Sequence, residues 1–388
     1  MGKKKICFIV NSLGGGGAER MITVLANGLY KDFDIHIVLL HNPVEYTLRP
    51  GQKIYVICKS DKCSALMQFL RLPKLAYKYH RYCKENDIAL SVSFLSKSSY
   101  VSIMAKLFFG SKFKTIVCER THQVSWLKNF SKMKRMMSVF LLKNLYNKAD
   151  LIIANSRQIQ KDLVQHFKLT PPIRVIYNGI DNGEINLMSH EKNGLQFSKD
   201  YFHFISVGRF QVEKNQKLLI DAFSKISHLK IKLLLVGKGE LEGPLKEQVK
   251  EHNLNNQVTF VPYQANPFKY ISQSGCFVLS SKVEGLPNIV LEAMSCSTPV
   301  VSTDCLTGPR EILAPLSNPS HRLEAGYEVC PYGILCAEGD AFSLSKAMNR
   351  MYEDRELRDE LKMASKSRAL EFEAPIILEQ YKKVFEEI

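Results

Sequence analysis

KICFIVNSLGGGGAERMITVLANGLY, residues 5 to 30, runs from an apolar strand through a glycine turn into a helix. The apolar run Ile6–Val10 meets four glycines, Gly14–Gly17, and an amphipathic stretch, Ala18–Tyr30, follows. Glycines let backbone amides approach a ligand closely, and a helix N-terminus presents uncapped N–H groups with a positive dipole end. That chemistry suits a phosphate or a sugar hydroxyl, although four glycines also make an ordinary tight turn. The loop is neither GxGxxG nor a Walker loop, because no Gly-Lys-Ser/Thr follows.

Outward from this stretch the same alternation continues. Strands are expected at Lys5–Asn11, Ile35–Leu40, Ile54–Cys58, Ala89–Phe94, Thr115–Cys118, Leu151–Ala154 and Arg174–Tyr177. Helical patterns fill Ala65–Lys84 and Trp126–Tyr146 between them. Alternation of this kind predicts βαβ units and a parallel sheet. The polar segment Asn178–Lys199 interrupts it and sets an expected boundary between residues 1–180 and 181–371. Beyond it, strands are expected at Phe202–Val207, Lys232–Val236, Gln257–Phe260, Cys276–Leu279 and Pro299–Ser302. Helices are expected at Asn215–Ile226, Leu241–His252 and Asn288–Ser295, and from Asp340 onward. The fold class is therefore α/β, two nucleotide-binding halves facing a cleft, with ligands outside the carboxyl ends of the strands.

Composition bounds the partners. The 388 residues, 45% hydrophobic, carry a formal charge of +15. Residues 1–180 hold 29 basic and 10 acidic side chains, net +19, and residues 181–388 hold 24 and 28, net −4. Excess positive charge confined to one half points to a membrane surface, a phosphorylated substrate or nucleic acid, or serves solubility alone. Ten cysteines without a CxxC pair read as reduced thiols rather than a disulfide or zinc framework. The run Ile6–Val10 is too short for a signal-peptide core, and no uncharged apolar run nears the ~18 residues of a membrane span. A soluble or peripheral protein is expected.

Three later segments carry chemistry. In VGRFQVEKN, Val207 to Asn215, Gly208 turns the chain at a strand end, and Arg209 and Lys214 follow. Both cations can neutralise a diphosphate and the charge growing on a departing nucleotide, or form a surface basic pair. In SSKVEGLPNIVLEAM, Ser280 to Met294, Glu284 lies in a loop and Glu292 in the first turns of a helix. Between them Gly285, Leu286, Pro287, Asn288, Ile289 and Val290 offer backbone amides and a helix N-terminus. A carboxylate inside an apolar helix demands a ligand or a salt bridge. The turn CERTH, Cys118 to His122, follows a strand of the first half. It places Glu119, Arg120 and His122 at a ligand edge, with a purely structural histidine as the other reading.

Glu284 and Glu292, spaced E-x7-E within EGLPNIVLEAM, resemble the signature of the retaining GT-B glycosyltransferases of family 4. GRFQVEKN with LLIDAF (Leu218–Phe223), VIYNGID (Val175–Asp181) and GGGGAER fit as well, so the resemblance spans nearly the whole chain. It implies that Arg209 and Lys214 bind the donor diphosphate, Glu292 the ribose hydroxyls and Glu284 the transferred hexose. It places Gly15 and Gly16 beside the donor and makes Glu284, His122, Arg209 and Lys214 the catalytic candidates. Glu119 and Arg120 would meet the acceptor, and a C-terminal helix around 372–388 would return to the first domain. Enzymes of this kind retain the anomeric configuration and use a nucleotide sugar, typically with uridine, without metal or other cofactor. Asp32-Phe33-Asp34 precedes its strand, away from the ligand edge, and reads as a solvated turn rather than a metal motif.

The basic half has two charged stretches. Arg71, Lys74, Lys78 and Arg81 form one helical stripe that can grip a lipid-linked diphosphate, with Pro73 starting or kinking the helix. Between Lys112 and Lys148, basic residues interleave with Trp126, Phe130, Met133, Met136, Met137 and Phe140, as in interfacial binding to anionic lipid. The expected acceptor is a lipid-linked or other glycan, and the expected place is the cytoplasmic, inner face of the cell membrane. Nucleic-acid binding would leave the paired glutamates unexplained, and no binding module is present. A dehydrogenase would need GxGxxG and a ribose-binding acid about 20 residues later. A transferase to a soluble acceptor and a sugar-nucleotide epimerase or hydrolase stand as the nearer rivals.

Overall fold

The first strand, β1 (Lys5–Val10), is buried on both faces: Cys7 and Ile9 turn to one side, Ile6, Phe8 and Val10 to the other. A strand apolar on both faces belongs inside a parallel sheet covered twice by helices. The computed structural model describes residues 2–14, 16–42, 48–58, 65–128, 130–192, 194 and 197–388. The chain divides into two units, Met1–Gly179 with Ala374–Ile388, and Ile180–Glu373.

In the first unit β1 is joined by β2 (Asp34–Leu39), β3 (Lys53–Val56), β4 (Leu90–Phe94), β5 (Lys114–Glu119), β6 (Leu151–Ala154) and β7 (Ile173–Val175). All pair in parallel, in the order β3-β2-β1-β4-β5-β6-β7. Helices Leu72–Glu85, Ser96–Phe109, Lys132–Tyr146 and Arg157–Gln165 cover the Cys7 face. Helices Gly17–Gly28 and Ala374–Glu387 cover the other. The last of these locks in with Phe385, whose ring lies 6.1 Å from Phe8, 5.9 Å from Phe33 and 5.7 Å from Tyr381.

The second unit repeats the plan with β8 (Phe202–Val207), β9 (Ile231–Val236), β10 (Val258–Val261), β11 (Cys276–Leu279), β12 (Val300–Thr303), β13 (Tyr327–Cys330) and β14 (Gly333–Cys336). Their order is β10-β9-β8-β11-β12-β14-β13, parallel except for the antiparallel β13–β14 pair. Both sheets are doubly wound and Rossmann-like. Their switch points lie where the order reverses, beside β1 and beside β8.

Three local departures from expectation have plain causes. The stretch from Ala65 is two helices, Ala65–Leu70 and Leu72–Glu85, because Pro73 in the first turn of the second cannot continue the first. The stretch around Trp126 is also two, Gln123–Lys128 and Lys132–Tyr146, with Ser131 extended (ψ 153°) ahead of the second. The β13–β14 hairpin carries no periodicity of its own. Gly333 opens β14 where an added Cβ would stand 2.8 Å from the Val300 carbonyl. Within 178–199 the helix Asn182–Ser189 forms, capped by Asp181, which accepts the Glu184 N–H at 2.8 Å.

The aromatic lock makes a test. Phe385→Ala should lower the stability of the first unit by about 3–5 kcal/mol, the usual result of emptying a buried aromatic site. Chemical denaturation read by the exposure of buried cysteines reports it, and an unchanged midpoint would contradict the packing.

Candidate active site

The strongest constellation lies at the carboxyl edge of the second sheet. β8 ends at Val207, Gly208 turns the chain, and Arg209 follows, exposed and without an ion-pair partner among the described residues. Five residues on, Lys214 Nζ meets Glu284 Oε1 at 2.6 Å, with the lysine and glutamate side chains 25% and 10% exposed. The same carboxylate oxygen accepts the Ser281 hydroxyl at 2.6 Å. The backbone completes the link, since Ser280 Oγ donates to the Lys214 carbonyl at 3.0 Å and Lys282 N–H to the Glu213 carbonyl at 2.8 Å. Loops from two neighbouring strands are thereby fixed to one another.

Beyond Glu284, the residues Gly285, Leu286 and Pro287 lead to helix Asn288–Ser295. Pro287 is its N-cap and lacks a side-chain acceptor, so the amides of Asn288 and Ile289 are not capped by it, and Val290 N–H returns to the Pro287 carbonyl. Glu292 is buried in this helix. Cys296, one turn on, has its thiol pushed up to about 12, by burial first and then by the Glu292 charge. The structure thus brings Gly208, Arg209, Lys214, Glu284 and the Gly285–Val290 segment to one edge of one sheet, with Glu292 in the helix behind them.

The loop after β9 shares that edge. Val236-Gly237-Lys238-Gly239 repeats the strand-glycine-cation pattern of Val207-Gly208-Arg209, and Phe210 N–H donates to the Lys238 carbonyl at 3.0 Å. An added Cβ at Gly239 would lie 2.7 Å from Phe210 C and N, so only glycine fits. Lys238 is a third cation, and that repeated pattern was the signal for it.

In the first unit the turn after β5 is built inward. Glu119 is buried, and Oε1 accepts the N–H groups of Arg120 and Thr121, each at 3.0 Å. Oε2 accepts from Gln123 Nε2 at 2.9 Å and from the Tyr146 hydroxyl at 3.1 Å. Burial raises its pKa against the pull of those hydrogen bonds. Arg120 engages Asn178 and donates to the Tyr381 hydroxyl at 2.7 Å, over the Phe94 ring. The Glu119 carboxylate and the Arg120 guanidinium therefore take separate side-chain partners rather than forming an ion pair with each other. His122 is buried: Nδ1 faces Ser125 Oγ at 2.7 Å and Nε2 lies against Asp162. With both ring nitrogens engaged, it reaches a substrate only by giving up a partner.

Gly15 lies outside the described residues. Gly16 is the N-cap of helix Gly17–Gly28, and an added Cβ there would run into the Glu19 carboxylate, which covers the turn from its third helical position. Arg71 and Lys74 are exposed on the outer side of Leu72–Glu85, whose inner side is Leu72, Leu75, Ala76, Tyr79 and Cys83. Lys78 bends to the Ile57 carbonyl at 3.2 Å. Asp32 and Asp34 sit at the amino end of β2, paired with Lys382 at 2.5 Å and Lys53 at 2.9 Å.

Comparison with known proteins agrees with this geometry. Residues 15–184 match the model of Glycosyltransferase Family 4, and residues 189–368 match Glycosyl transferases group 1. A Campylobacter jejuni protein is 32% identical over 95% of this chain and 96% of its own. It is named N-acetylgalactosamine-N,N'-diacetylbacillosaminyl-diphospho-undecaprenol 4-alpha-N-acetylgalactosaminyltransferase. Among solved structures, sucrose-phosphate synthase from Thermosynechococcus elongatus aligns with TM-score 0.82 and 19% identity, covering 99% of each chain. Anabaena HepE in complex with UDP aligns with TM-score 0.73 and 20% identity, covering 99% of this chain and 100% of its own. Two doubly wound units, the edge constellation and these matches together establish the chain as a GT-B glycosyltransferase of family 4.

Proposed function

We propose that the chain transfers a hexose or N-acetylhexosamine from a UDP-sugar to a lipid-diphosphate-linked glycan, with retention of the anomeric configuration and without metal. The observation that carries the donor half is the Lys214–Glu284 contact beside Arg209, which has no ion-pair partner among the described residues, and the N-terminus of Asn288–Ser295. An ammonium group has three donors, so Lys214 can hold Glu284 with one and a phosphate oxygen with another. Arg209 adds a planar fork suited to phosphate, and the helix amides add dipoles that need no reorganisation as charge grows on the leaving UDP. Glu284 then faces the transferred sugar and Glu292 the ribose. The cations take the role that a divalent metal plays in other transferases.

The acceptor half rests on the Campylobacter relative, whose name specifies a diphospho-undecaprenol-linked acceptor and N-acetylgalactosaminyl transfer. UDP as the nucleotide is supported by HepE, which was solved with it. The first unit carries a matching surface. Trp126, Met133, Met136 and Phe140 are exposed, with Lys128, Lys132 and Arg135 exposed among them. Apolar side chains ringed by cations suit the headgroup boundary of an anionic bilayer. No described helix is long and apolar enough to cross a membrane. In this reading the protein works peripherally at the cytoplasmic face, with Arg71, Lys74 and Lys78 toward the acceptor diphosphate and Glu119, Arg120 and His122 shaping the acceptor side.

Two measurements test the halves separately. Lys214→Ala and Glu292→Ala should each lower kcat/KM for the donor by about 100-fold or more, with the fold intact by circular dichroism. Full turnover in either variant removes the donor assignment. Replacing Met133, Met136 and Phe140 together with serine should release the protein from vesicles of anionic lipid while UDP affinity stays put. Retention by wild type should fall as salt rises, because the cations are exposed. Equal retention of both proteins would contradict the membrane reading.

A further inference from the structure

The segment after β12, a loop from Asp304 to Gly308 that runs into helix Pro309–Leu313, belongs to no stretch assigned a role so far. A buried ion pair fastens the start of the loop to that helix: Arg310 Nε reaches the Asp304 oxygens at 3.0 and 3.1 Å, and Nη2 reaches Oδ2 at 2.7 Å. Arg310 Nη2 also meets Glu328 at 3.0 Å, and the Leu323 N–H donates to Asp304 at 3.0 Å. Desolvation makes such a pair a weak source of net stability. Its geometry is nevertheless specific, with three nitrogen–oxygen contacts fixing one arginine on one carboxylate.

What this clamped loop presses on is the Glu284 segment. Thr307 is buried, and its hydroxyl donates to the backbone carbonyl of Glu284. Gly308 has φ +89°, a left-handed conformation that strains any L side chain. An added Cβ there would stand 2.9 Å from the Gly285 carbonyl oxygen, 3.0 Å from Leu286 Cα and closer still to Pro287 Cδ. One residue before the loop, Thr303 Oγ1 donates to the Ser281 carbonyl at 2.6 Å, and Ser281 holds the Glu284 carboxylate. Two threonine hydroxyls and a glycine without side-chain room therefore bear on both ends of Ser281–Pro287.

We propose that Thr307 and Gly308 are positioning residues for sugar transfer. They set the height of the Glu284–Pro287 loop against the Lys214 ammonium, so that the carboxylate and the following amides stand at the donor. Neither side acts on the donor directly; both work through the loop. The inference rests on the donor-site reading above. Displacement of a reacting group by about 1 Å costs on the order of 100-fold in rate, so a small shift of this loop is visible in kcat.

The test uses the full chain, with UDP as the binding probe and, for turnover, whichever UDP-sugar the wild type consumes. Thr307→Val keeps the shape and removes the hydroxyl; its kcat should fall about tenfold or more while UDP affinity holds within about twofold. Thr307→Ser should restore most of the rate, and Gly308→Ala should lose kcat more heavily than Thr307→Val. Should the valine variant not fold, Thr307→Ala carries the same comparison. Wild-type kcat in Thr307→Val and Gly308→Ala overturns the proposal, as does a rate loss that serine does not restore. Glu284→Gln is the separate arm: full activity there removes the donor-site reading itself rather than the positioning role.

Discussion

The second unit depends on one contact, the Lys214 ammonium against the Glu284 carboxylate at 2.6 Å. An ion pair this sheltered is stable only where further hydrogen bonds satisfy both groups. Ser281 serves the carboxylate, and Ser280 ties the lysine's own backbone carbonyl into the next loop. The result is that the loops after β8 and β11, adjacent strands at a switch point, behave as one piece. A lysine tethered in this way keeps its remaining donors aimed rather than free. Charge stabilisation by groups that need not move is the kind that accelerates transfer of a phosphate-linked sugar.

Much of this was legible in the sequence, for a physical reason. Most of these strands are buried and read as apolar runs, the edge strands β3 and β7 being the more exposed, and the five expected in the second half and seven in the first all form. The GRFQVEKN segment and the first glutamate of E-x7-E follow strand ends, and the second glutamate lies in the helix beyond, as the structure has them. Contacts between distant residues were not legible. Nothing near His122 announces that Asp162, forty residues later, will occupy its Nε2, or that Arg120 will reach Tyr381 in the last helix. Nor does TGP at 307–309 look different from any other turn until Gly308 is seen against Gly285 and Leu286. Local chemistry survives in sequence because it is short-range; support from behind comes from topology.

Charge asymmetry behaves in an intermediate way. The excess of lysine and arginine in residues 1–180 is plain from counting, but which surface carries it is settled by helix breaks. The start of a new helix at Leu72 sets Arg71 and Lys74 outside and Leu75, Ala76 and Tyr79 inside. The break before Lys132 does the same for Met133, Met136 and Phe140, which stand exposed rather than in the core. Apolar side chains at such positions in a charged helix are costly to leave in water, and the membrane-bound state proposed above would remove that cost.

The central claim is that a nucleoside diphosphate binds at the carboxyl edge of the second sheet. Its most direct measurement is a crystal structure of the chain soaked with UDP. The account predicts diphosphate oxygens within hydrogen-bond distance of Arg209 and Lys214 and in line with the amides of Asn288–Ser295, with the ribose hydroxyls at Glu292. Diphosphate density elsewhere, with Arg209 and Lys214 untouched, would contradict it.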